Sequence, residues 1–79
     1  MYSNNQYYKG KYFIAFYDAD GEEFINCFDN IYKILLYINK PTTKENYTNI
    51  KNIIYFAVKK NKLVYFLDGK PRRIYLIEI

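Results

Sequence analysis

From Lys11 to Tyr17 the run KYFIAFY alternates along a strand, with Tyr12, Ile14 and Phe16 on one face and Phe13, Ala15 and Tyr17 on the other. Asp18-Ala19-Asp20-Gly21 then supplies turn chemistry, because aspartate tolerates the left-handed region and glycine accepts positive φ. Phe24–Phe28 returns as a second strand, which predicts a hairpin. Past Asp29 or Asn30, either of which can cap a helix, Ile31, Ile34, Leu35 and Ile38 recur at i, i+3, i+4 and i+7. That spacing predicts a helix over Ile31–Asn39, stopped because the residue before Pro41 avoids the α region.

Thr42-x-x-Glu45 matches a capping box, so a second helix starts between Thr43 and Tyr47 and runs to Lys60, where Asn61 can end it. Within it Ile50, Ile53, Ile54, Ala57 and Val58 make one apolar stripe. The opposite side carries Asn49, Lys51, Asn52, Tyr55, Phe56, Lys59 and Lys60. Leu63–Leu67 and Arg73–Ile79 are β-like about Asp68-Gly69-Lys70-Pro71, a second hairpin signal. Residues 1–10 lack periodicity and read as a loose arm. The expected fold is α+β, one small domain over 1–79 in the order β-β-α-α-β-β, with a helix-turn-helix-like pair between two antiparallel hairpins.

Composition changes the picture in three ways. Seventy-nine residues hold 11 Tyr and 6 Phe, so a small core gains area from aromatic rings. Ile, Lys, Asn and Tyr supply 41 of the 79 residues, a bias of AT-rich codons that suggests a low-GC bacterium or one of its phages. Cys27 is the single cysteine and histidine is absent, which excludes an intramolecular disulfide and a Cys/His zinc site. No apolar run approaches a membrane span and the N-terminus lacks a signal-peptide core, so the expected location is cytoplasmic, with no membrane partner.

Charge is uneven. Residues 1–30 sum to −3 and residues 31–79 to +7, and a basic half points to phosphate-bearing partners. Taken with Tyr17-Asp18-Ala19-Asp20-Gly21, Phe28-Asp29-Asn30-Ile31 and the basic second helix, the chain resembles the nuclease-associated modular DNA-binding domains and the small stand-alone phage proteins related to them. The resemblance implies a hairpin before a helix-turn-helix, with Ile31–Asn39 as first helix and Asn49–Lys60 as recognition helix. The chain departs from that pattern in its long link, Lys40–Thr48, and in carrying Leu36 and Tyr37 where small residues often sit at the helix crossing.

For such a reader Asn52 can pair bidentately with adenine, Asn49 adds a second amide, and Lys51, Lys59 and Lys60 meet phosphates, with Tyr55 beside them. Lys70, Arg72 and Arg73 would act as a wing. Tyr65, Phe66 and Tyr75 beside Arg72 and Arg73 leave a single-stranded nucleic acid open, although the core competes for those rings. Asp18, Asp20 and Glu22 resemble a calcium loop, but its sixth and twelfth positions hold Glu23 and Asp29, and the hairpin turn is the simpler reading. Catalysis has no candidate: Ser3 is the lone serine and Cys27 has no base, reading most simply as a small buried hydrophobe. No cofactor or metal is expected. The partner is duplex DNA or, as the alternative, a host nucleoprotein inhibited in the manner of an anti-CRISPR protein, with the acidic hairpin entering its basic groove. Homodimerisation through an open sheet edge stays open.

Overall fold

The computed structural model describes residues 12–78. Strands β1 (Tyr12–Tyr17) and β2 (Phe24–Phe28) precede helices α1 (Ile31–Tyr37) and α2 (Lys44–Lys60), and strand β3 (Arg73–Glu78) closes the chain. The order β-β-α-α-β follows expectation with one strand fewer. The sheet is antiparallel in the order β2-β1-β3, with Ile14 opposite Phe28 on one side and Leu76 on the other. The proposed arm, residues 1–10, lies outside the described residues.

The alternation of β1 decides the core. Ile14 and Phe16 face the helices with Phe28 and Ile74, and meet Ile31, Ile34, Leu35, Ile50, Ile54 and Ala57. Phe16 is fully buried and stands edge-on to Phe28 and Phe66, with centroids 5.7 and 5.8 Å away, a favoured aromatic geometry. The outer face carries Phe13, Tyr17, Phe24, Tyr75 and Ile77, with Ala15 sealed between Cys27 and Tyr75. Cys27 therefore sits half-buried on an edge strand rather than in the core.

Local chemistry sets each boundary. In the β1–β2 loop the Asp18 carboxylate accepts the Glu22 and Glu23 amides at 2.8 and 3.2 Å, and Gly21 takes φ +76°. Asn30 caps α1 by accepting the Lys33 amide at 3.0 Å. α1 ends at Tyr37, two residues earlier than expected, because Asn39 adopts φ 65° and Lys40 N–H turns back to the Leu35 carbonyl at 2.9 Å. That is a Schellman closure with asparagine in glycine's usual place.

The cap of α2 lies one residue beyond the Thr42 capping box. Thr43 accepts the Asn46 amide at 3.1 Å, and the Asn46 side chain donates back to the Pro41 carbonyl at 2.8 Å. Helix α2 thus gains a first turn, and the link shrinks from Lys40–Thr48 to residues 38–43. Asn61, at φ 56°, ends α2 as expected.

The second hairpin did not form. Leu63–Leu67 is not a strand; it contributes one isolated bridge, Val64 to Arg72, with both hydrogen bonds at 2.8 Å. Val64 and Leu67 are both buried, a spacing of three that a strand cannot present to one face and a turn can. The turn is then locked by Gly69 N–H on the Tyr65 carbonyl at 2.9 Å and by Asp68 accepting the Lys70 amide at 3.2 Å.

Candidate nucleic-acid interface

Helix α2 is 17 residues long and about 26 Å at 1.5 Å per residue. Its buried arc is narrower than the stripe in the sequence: Ile50, Ile54 and Ala57 are buried, whereas Ile53 is 42% and Val58 36% exposed. Three strands and a seven-residue α1 cover only part of a helix, so the margins of the stripe stay in solvent. At 3.6 residues per turn, Asn49, Asn52, Phe56 and Lys59 share the arc pointing away from Ile50 and Ile54. All four are exposed.

Lys60 borders that arc on one side, next to Ile53. The chain after Asn61 doubles back here, since Lys62 N–H bonds to the Ala57 carbonyl at 2.8 Å. This lays Leu63 and Val64 beside Ile53 and Phe56 and leaves an apolar groove with Asn52 and Lys62 at its rim. On the other flank Lys51 lies over the Tyr55 ring, Nζ 5.8 Å from the centroid, a cation–π contact that holds both. Residues read as one basic side therefore divide between an outer arc and a flank.

The wing is less available than its sequence suggests. Arg72 donates from Nε and Nη2 to Asp68, the shortest contact 2.7 Å, with its side chain 12% exposed. Each partner fixes the other's charge: this bond holds the Asp68 carboxyl below, and the Arg72 guanidinium above, its ordinary value. Arg73 donates from Nε to the Ala19 carbonyl at 3.0 Å and from Nη1 to the Asn61 side chain. Both acceptors are neutral, and the pair of contacts ties the β1–β2 loop to the end of α2. Lys70 stands exposed on the turn. The stacking set is dispersed as well: Phe66 packs on the core, Tyr65 is exposed outside any strand, and Tyr75 lies on the outer sheet face edge-on to Tyr17 at 5.2 Å.

Asp18 is held below the ordinary aspartate value, first by the Glu22 amide and then by the Glu23 amide. Its oxygens serve the loop, and among the described residues no group of His, Cys, Asp and Glu is arranged to hold a metal ion. No helix among the described residues is long and apolar enough to cross a membrane.

Two exposed apolar side chains extend the candidate site. The i+3 spacing from Ile50 places Ile53 in the core stripe, yet it stands in solvent at the margin of the outer arc. Phe56 lies on the side opposite the stripe, as its position predicts, and its 100° steps put it between Asn49 and Asn52, which makes it a member of the site beside the residues singled out for base contact. Compared with protein-family models, curated proteins and solved structures, the chain matches none.

Proposed function

We propose that the protein is a non-catalytic duplex-DNA binder of the helix-turn-helix kind, with α2 as the element that enters the major groove. The observation that carries the reading is the outer arc of α2, which offers two amides without a partner among the described residues and a lysine-rich last turn on one exposed surface. Asn49 and Asn52 meet base edges, whereas Lys59, Lys60, Lys70 and Arg73 meet phosphates; Lys51 and Tyr55 contact the backbone from the flank. Arg72 contributes by holding the turn, its charge being paired with Asp68. The link of residues 38–43 supports a helix pair closer to the usual motif than the sequence implied, though longer than a turn of about three or four residues.

Titration of the full chain with pooled duplexes over a salt series tests this. About five phosphate contacts give a log–log slope near −4.5, and Lys59→Ala with Lys60→Ala together reduce its magnitude by about 1.8. Absence of binding at low salt ends the reading.

A further inference from the structure

Of the seven asparagines within residues 12–78, five have tasks inside the fold. Asn26 accepts the Cys27 amide, Asn30 caps α1, Asn46 braces the start of α2, and Asn39 and Asn61 supply left-handed backbone. Asn49 and Asn52 differ: they occupy the interior of α2, exposed, where asparagine is a poor helix former. Among the described residues neither amide has a partner. Phe56 beside them leaves 57% of its surface in solvent on the same arc. Three exposed side chains outside the buried core share one surface.

Their chemistry is specific. An asparagine amide pairs with N6 and N7 of adenine, and an apolar side chain packs on the thymine methyl group. Guanine is read by arginine or lysine, and the middle of this arc has neither. Lys51 is turned onto Tyr55 at the flank, Lys59 and Lys60 stand in the last turn, and the arginines are bound at Asp68, Ala19 and Asn61. From Asn49 to Phe56 the helix advances about 10 Å at 1.5 Å per residue, about three base-pair steps of 3.4 Å. Resting on the duplex-DNA reading, we propose that α2 selects A·T-rich sites, with Asn49 and Asn52 on adenine and Phe56, flanked by Ile53, on thymine methyl groups.

The test compares the full chain, by fluorescence anisotropy at one salt concentration, on duplexes of equal length with a central A·T or G·C block. The A·T duplex is expected to bind at least about tenfold tighter. Replacing central adenines by 7-deazaadenine removes N7 and lowers wild-type affinity, yet leaves the double variant Asn49→Ala with Asn52→Ala unaffected. Uracil in place of thymine weakens the wild type and leaves Phe56→Ala unaffected. The modified duplexes test the native protein, so the result does not depend on any variant folding. Equal affinity for the two duplexes overturns the proposal while duplex binding itself stands. An A·T preference that persists undiminished when Asn49→Ala, Asn52→Ala and Phe56→Ala are combined in one chain assigns selection to DNA shape and also overturns it. No binding to either duplex removes the reading beneath it.

Discussion

Ile53 and Ile54 are neighbours with the same side chain, and the fold gives them opposite fates. Ile54 is 1% exposed and Ile53 42%. Ile54→Ala deletes three buried carbons, about 2.4 kcal/mol of transfer free energy at ~0.8 per methylene. An unfilled cavity raises this to about 3–4 kcal/mol, and alanine's better helix propensity returns about 0.4. The net loss is about 3 kcal/mol. At Ile53 somewhat over half of the transfer term is at stake and water fills the space, so the loss is about 1 kcal/mol after the propensity gain. With a urea m-value on the order of 1 kcal/mol/M for a domain of this size, the two midpoints separate by about 2 M. Urea unfolding followed by far-UV circular dichroism measures both. Equal losses would mean that α2 is rotated about its axis relative to this packing, and the outer arc built from Asn49, Asn52 and Phe56 would fall with it.

The corrected cap predicts that Thr43→Ala lowers stability by about 1 kcal/mol whereas Thr42→Ala is near neutral, a comparison that thermal melts of the two variants decide. Asp18 and Asp68 both titrate below the ordinary aspartate value in the folded chain, through amide hydrogen bonds at Asp18 and through Arg72 at Asp68. Depressed carboxyls stabilise the fold above the unfolded-state value of about 4, and that contribution is lost as pH falls through the folded values. The stability gap between wild type and Asp68→Asn is therefore largest near neutrality and closes in acid; a gap that widens as pH falls contradicts the pairing.

What was legible in the sequence was local. The β1–β2 hairpin follows from alternation and a turn whose Asp18 side chain bonds within five residues of itself. Both helices follow from periodicity, and Asn61 signals the end of α2 by its own backbone preference. What was not legible depends on partners distant in the chain. Arg73 looked like a free cation because its acceptors, Ala19 and Asn61, lie 54 and 12 residues away. Leu63–Leu67 has the apolar run of a strand, but Val64 and Leu67 both turn inward onto a core that local sequence does not reveal. The width of the α2 stripe was equally hidden, since periodicity gives a direction and the neighbouring elements decide how many residues around it are covered.

That last point bears on function. On the duplex-DNA proposal α2 serves both the core and the partner, and it separates the two duties by angle. Ile50, Ile54 and Ala57 close the core, whereas Asn49, Asn52, Phe56 and Lys59 contribute nothing to it that the structure records. Substitutions on the two arcs should therefore segregate: inner ones move the unfolding midpoint, and outer ones move affinity at constant stability. Arg73 breaks this separation, because the same guanidinium braces the β1–β2 loop against the end of α2 and still presents a positive charge. Its replacement by lysine preserves the charge and loses the two-point brace. A fall in affinity for Arg73→Lys as large as for Arg73→Ala would locate its contribution in the placement of α2 rather than in phosphate contact.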